Sequence, residues 1–279
     1  MHPSKRTLAI VALTTTLMSC SAQMTPASTP TAPTMALRLY ATTATLPLVT
    51  DLTTAYSETH PNILFDIRSG SYQTMLDHLL IGETPFFLSN HLPADSTLWA
   101  APLGQDGIAI IGHSSLDVQE LTLEQLRAIY QGHITNWDSV GGASQEIIVM
   151  SREDGSGTRA EFERLVMGQR STTANARLAT SSISMIESVA ALPGSIGYVS
   201  MSYLDDRVHA LTIEDVAPTL ANVSTNRYPL RATLYIVGLT APENAYLDLI
   251  GWMQAPKGQA ILSRYYAPLD IPFVIPTAP

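Results

Sequence analysis

From Leu37 onward, short apolar runs alternate with segments of helical period, and this restricts the chain to the α/β class more than any other feature. The apolar runs predict strands at 37–41, 63–68, 107–112, 146–150, 195–199 and 233–237. The segments between them predict helices at 47–58, 72–81, 122–130, 157–167, 183–192 and 245–253. Leu123, Leu126, Arg127 and Tyr130 follow i, i+3, i+4, i+7 spacing behind Thr122, a residue type that caps helices. With 279 residues and no internal repeat, the chain has length for two lobes or one large domain.

Charge narrows the function. Fifteen Lys and Arg stand against 24 Asp and Glu, a formal charge of −9. That balance argues against broad binding to nucleic acid or anionic membranes, which takes dense positive charge. The single cysteine excludes an intrachain disulfide framework and any Cys-rich zinc site. The seven histidines show no metal-ligand spacing, and no GxSxG, HExxH, GxGxxG or GxxxxGK[ST] occurs. Neither an enzyme nor a metal or cofactor is expected.

The first 20 residues read as a targeting segment. Lys5 and Arg6 form a positive start, and residues 8–18 are an apolar, Thr-rich stretch too short to span a bilayer. Leu17, Met18, Ser19 and Cys20 then resemble a bacterial lipobox, whose cysteine is lipidated. Residues 21–35 are Ser, Thr, Pro and Ala without charge or period, the composition of a tether. The expectation is an exported globule, anchored through Cys20 to the outer face of the cell membrane.

Three Ser/Thr/Gly clusters lie where a strand gives way to a helix. They are Ala41 to Pro47, Arg68 to Ser71, and Ser151 to Arg159 with its two arginines. A helix start offers unpaired N–H donors and the positive end of the dipole. Glycine lets the backbone approach a ligand, hydroxyls add donors, and an arginine forks onto a tetrahedral oxyanion. One such cluster is ordinarily a helix cap. Three together point to an anion site.

The runs DGIAIIG, LTLEQLRAIYQGHITNWDSVGG, IIVMSREDGSGTRAEFERLVMG, LPGSIGYVSMSYL and VAPTLANVSTNRYPLRATLYIVG, with the closing GQAILSRYYAPL, occur in one order. In this order the chain resembles the periplasmic phosphate-binding proteins of ABC transporters, the PstS family, over most of residues 37–270. The resemblance implies a type II periplasmic binding protein: two α/β lobes joined by two crossing strands, with the ligand in the cleft. Residues 107–112 and 230–237 would be the crossing strands. One lobe would be 36–112 plus 230–279, the other 113–229. Carried over, the family's phosphate contacts fall on Thr45 and the N–H of Leu46, on Ser71, and on Arg152, Ser156, Gly157 and Thr158. Asp154 matches the carboxylate that steadies the arginine. The implied partners are inorganic phosphate or a similar oxyanion and an ABC permease, with no nucleic acid and the chain acting as a monomer.

One segment departs from the pattern. After the second helix the family carries a stretch like GxADIGxSSR, whose aspartate accepts the proton of hydrogen phosphate. Here residues 82–91 read GETPFFLSNH, placing Pro85 or Phe86 at the aspartate and His91 at the arginine. Loss of that acceptor removes the repulsion that rejects sulfate, so weak discrimination between the two anions is expected. A sulfate-like ligand, or a sensor or adaptor that has lost its ligand, remain alternatives. A serine hydrolase built on Ser156 lacks a paired His and acid in the sequence.

Overall fold

In the computed structural model, which describes residues 34–269, the first apolar run becomes β1 (Met35–Thr42) and the next helical segment α1 (Leu46–Thr59). There follow β2 (Ile63–Asp66), β3 (Ser69–Gly70), α2 (Tyr72–Leu80), β4 (Phe86–Ser89) and the long β5 (Trp99–His113). The middle of the chain forms β6 (Glu120–Leu121), α3 (Leu123–Tyr130), β7 (Ile148–Arg152), α4 (Gly157–Phe162), β8 (Arg177–Ala179), α5 (Ser182–Ala191) and β9 (Ser195–Ser200). The remainder is β10 (Val208–Ala210), β11 (Thr212–Ile213), α6 (Leu220–Ser224), β12 (Arg231–Gly238), α7 (Asn244–Gln254), α8 (Pro256–Leu262) and β13 (Ala267–Pro268). The signal segment, Cys20 and nearly all of the 21–35 tether lie outside the described residues. Met35, assigned to the tether, already pairs with Ile63 in the sheet.

Along the main sheet the strand order is β2-β1-β4-β12-β5-β9-β7-β8. On one side β1 runs parallel to β2, β3 and β4; on the other β7 runs parallel to β8 and β9. Between the two groups, β5 and β12 pair antiparallel. Parallel strands put their C-terminal ends on one edge, and ligands of open α/β sheets bind beyond such ends. That geometry brings Thr42, Gly70 and Ser89 to one edge and Arg152 and Ser200 to another.

Local signals hold where they were read. Thr122 caps α3 in a full capping box with Gln125. Pro47 sits in the first turn of α1, where its missing N–H costs nothing. Two stretches went unread. β4 is Phe-Phe-Leu-Ser, buried at every position between β1 and β12, so it shows no period-2 alternation. The first half of β5, from Trp99, lies outside the strand expected at 107–112, because Pro102 and Gly104 interrupt its pattern. The helix expected over 157–167 is α only to Phe162 and continues as a π-turn, Glu163–Met167.

The apolar interior gathers into separate clusters. Leu39, Leu48, Leu52, Leu88, Leu234 and Ile250 belong to one. Ile108, Ile110, Leu126, Trp137, Ile196 and Tyr228 belong to another, with Met185, Ile186 and Val199 in a smaller one beside it. Among the described residues no helix is long and apolar enough to cross a membrane, and no His/Cys/Asp/Glu group could hold a metal.

Candidate anion-binding site

The three Ser/Thr/Gly clusters meet in space. Thr43 lies in the 3-10 turn that carries β1 into α1, and its Oγ1 accepts from Arg152 Nη2 at 3.2 Å. Gln73, in the first turn of α2, donates its N–H to Gly155 O at 3.1 Å, joining the second cluster to the third. Gly155 has φ of 80°, in the left-handed region, and a Cβ there would stand 2.8 Å from Gln73 Cβ; glycine meets both demands. The third cluster is further tied to β4 through Asn90, whose Nδ2 donates to Thr158 Oγ1 at 3.2 Å.

Each hydroxyl has a definite hydrogen-bonding state. Ser71 and Ser156 cap α2 and α4, accepting from the N–H of Thr74 and of Arg159. Ser71 Oγ also shares a hydrogen bond with Thr74 Oγ1 at 2.9 Å, whereas a cap alone uses only a lone pair, so Ser156 still has an O–H to donate. Thr158 accepts from Asn90 and is in the same state. Thr45 differs: it is fully buried, and its Oγ1 donates to Leu88 O at 2.9 Å, pinning the turn against β4. Leu46 opens α1, half-buried, with its N–H at the start of the helix.

Arg152 is the strongest feature. It ends β7 with 1% of its surface exposed. Nε donates to Glu153 Oε2 at 2.8 Å and to Ala179 O at 3.1 Å, and Nη2 donates to Glu153 Oε1 at 2.9 Å. Nη1 is buried and has no hydrogen-bond partner among the described residues. A buried guanidinium nitrogen left without an acceptor is costly, and buried charge is retained where it meets a partner. From below, Tyr198 OH accepts the N–H of Arg152 at 3.1 Å while its ring stacks on Phe162 at 4.1 Å. Burial pushes that phenol up to about 12, so it supports the strand as a neutral group.

Two expectations are corrected. Asp154 does not steady Arg152: its side chain is 95% exposed and accepts from Arg159 Nη1 at 2.5 Å. Glu153, one residue earlier, takes that role, because β7 extends through Arg152, two residues past the strand expected at 146–150. The second concerns the proton acceptor. Pro85 and Phe86 indeed offer none, and His91 Nδ1 is engaged by Glu161 at 2.8 Å. Yet Asn90 Oδ1 is buried without a partner among the described residues, 3.3 Å from where a Cβ on Gly157 would stand. Sequence reasoning missed Asn90 by seeking a carboxylate at the wrong end of β4; a polar residue closing an apolar strand was the available signal.

Gly157 is thereby constrained from three sides, since an added Cβ would meet His91 Cβ at 3.0 Å, Asn90 Oδ1 at 3.3 Å and Tyr72 Cβ at 3.4 Å. Gly157→Ala is expected to weaken anion binding about tenfold by displacing Asn90, with a cost in stability near 1 kcal/mol. Calorimetric titration beside a thermal melt checks this; unchanged affinity would show that the space is not shared with a ligand.

The chain matches the family model described as a PBP superfamily domain over residues 25–257. It is 30% identical over 207 residues to the phosphate-binding protein PstS of Bacillus subtilis, covering 70% of this chain and 67% of that one. To PstS of Borreliella burgdorferi it is 25% identical over 171 residues, covering 57% of this chain and 61% of that one. Among solved structures, a phosphate ABC transporter substrate-binding protein with bound phosphate from Clostridium perfringens superposes with a TM-score of 0.80. It is 26% identical, over 85% of this chain and 100% of that one. A phosphate transport receptor from Vibrio cholerae gives 0.68 at 25% identity, over 83% and 99%. With its α/β sheet of two parallel groups joined by β5 and β12, the chain is a type II periplasmic binding protein and belongs to the PstS family of the PBP superfamily.

Proposed function

We propose that the chain is an extracytoplasmic solute-binding protein that captures inorganic phosphate and hands it to an ABC-type importer. The observation that carries this reading is the buried Nη1 of Arg152, without a hydrogen-bond partner among the described residues, at the end of the strand that leads into Ser156, Gly157 and Thr158. A tetrahedral dianion would complete the guanidinium's hydrogen bonds and take the free O–H groups of Ser156 and Thr158, with Ser71 of the second cluster and the N–H of Leu46 from the first. Thr45 contributes by holding that turn. In this reading the lobes are 36–112 with 230–279, and 113–229, as the resemblance implies, and phosphate would lie between them. Catalysis is not part of this reading. His91 and Glu161 form a hydrogen-bonded pair, but among the described residues neither is hydrogen-bonded to Ser156.

Calorimetry of the purified chain with phosphate, sulfate, arsenate and molybdate in separate titrations tests the proposal. Saturable phosphate binding is expected, and binding of none of the four anions would favour a sensor or adaptor. Attachment belongs to the same proposal: Cys20 is the lipidated residue, and a multiply acylated N-terminus holds a membrane firmly. In a bacterial host, Cys20→Ser is expected to move the protein out of the membrane fraction or to stall its processing. Normal processing with full membrane retention would exclude the lipobox.

A further inference from the structure

Contacts from the far side of the sheet converge on Thr43, in the 3-10 turn between β1 and α1. Its Oγ1 accepts from Nη2 of Arg152, at the end of β7, at 3.2 Å. The same oxygen shares a hydrogen bond with Ser182 Oγ, at the start of α5, at 3.3 Å. The Thr43 carbonyl accepts from Tyr203 OH, in the 3-10 turn that follows β9, at 2.5 Å. Burial pushes the Tyr203 phenol up to about 12, so at neutral pH it keeps the proton that it donates. β7 and β9 belong to the parallel group on the other side of β5 and β12 from β1.

On its own side the turn is fixed independently. Tyr266 OH donates to Ala44 O at 2.8 Å, and Thr45 Oγ1 donates to Leu88 O at 2.9 Å. Residues 44 and 45 thus bind the turn to its own half of the sheet, and residue 43 binds it to the other. The N–H that follows is that of Leu46, assigned above to the anion. At the far end of the link stands Arg152, whose guanidinium has five N–H groups. Nε directs its one to Glu153 and Ala179, Nη2 directs its two to Glu153 and Thr43, and Nη1 keeps both of its own for a ligand.

We propose that Thr43 is a positioning residue: it ties the turn before α1 to Arg152, so that the N–H of Leu46 and Nη1 of Arg152 face one anion at a fixed separation. The inference rests on the phosphate reading above. Donors on two distant elements hold one tetrahedral anion well only when their spacing is set beforehand; otherwise part of the binding free energy is spent on ordering the turn. Thr43 itself is not among the ligand contacts that the resemblance carries over. It acts through Arg152 and Leu46.

The test is phosphate binding by the purified chain, followed by calorimetry. Thr43→Val keeps the shape of the side chain and removes its hydroxyl, and affinity should fall about tenfold. Thr43→Ser restores the hydroxyl and should bind within about threefold of the wild type. On an Arg152→Ala background, Thr43→Val should change affinity by less than about twofold, since its partner is gone. A merely structural role would show its full effect there as well. Unchanged or tighter binding in folded Thr43→Val, an equal loss in Thr43→Ser, or a full loss on the Arg152→Ala background overturns the positioning role. If thermal melts show that Thr43→Val does not fold, Tyr203→Phe, which removes the donor to the Thr43 carbonyl, should weaken phosphate binding about threefold; no change then overturns the proposal. A wild type that binds no phosphate refutes the phosphate reading itself, whereas a binding wild type with any of the overturning results refutes this inference alone.

Discussion

Arg152→Ala is expected to weaken phosphate binding by about 10- to 150-fold. The variant removes the buried guanidinium whose Nη1 has no acceptor among the described residues. A hydrogen bond to a charged group contributes roughly 1.5–3 kcal/mol, and each 1.4 kcal/mol is tenfold in affinity. The fold should persist, because Glu153 is still partly exposed to water and the strand remains anchored through the Tyr198 hydroxyl. Arg152→Lys should fall between, retaining the charge but losing the planar fork and one of the two contacts to Glu153. Calorimetry with phosphate, run beside melting curves, decides the matter. An unchanged dissociation constant in folded Arg152→Ala would remove the third cluster from the site.

The second large effect is on stability against pH. Asp106 has its carboxyl raised from the ordinary 3.8 to about 7 by burial in the folded protein. In the unfolded chain it titrates near the ordinary value. Between these two pH values the folded state keeps a proton that the unfolded state has released. The contribution is fully present below about pH 4 and is lost as pH rises through about 7. At about 1.4 kcal/mol per pH unit, the wild type should lose roughly 4 kcal/mol from this group over that range. Asp106→Asn keeps the shape and never ionises. Near pH 5 the variant and wild type should melt within a few degrees of each other, and near pH 8 the variant should be the more stable by a few kcal/mol. Parallel pH profiles of the two proteins would show that the carboxyl does not titrate in this range.

How much of this was legible in the chain depends on the range of the interaction involved. Alternation of apolar runs, the cap at Thr122, Pro47 in the first turn of α1 and the Ser/Thr/Gly clusters at strand ends all act over a few residues. They were readable, and with them the α/β class, the anion-site candidates and the family resemblance. β4 escaped because a strand covered on both faces carries no alternation; its identity comes from β1 and β12 on either side.

The charge partners within the site were decided only by tertiary structure. Asp154 and Glu153 are neighbours of one charge type, and only the exact end of β7 turns Glu153 onto Arg152 and leaves Asp154 in solvent with Arg159. Asn90 and Thr158 are 68 positions apart in sequence, and they meet because the packed fold sets the end of β4 against the start of α4. The sequence by itself determined which donors gather at the helix starts, since capping and dipole act locally. The fold decided which acceptor faces them, because burial and hydrogen-bond direction exist only once distant strands have packed.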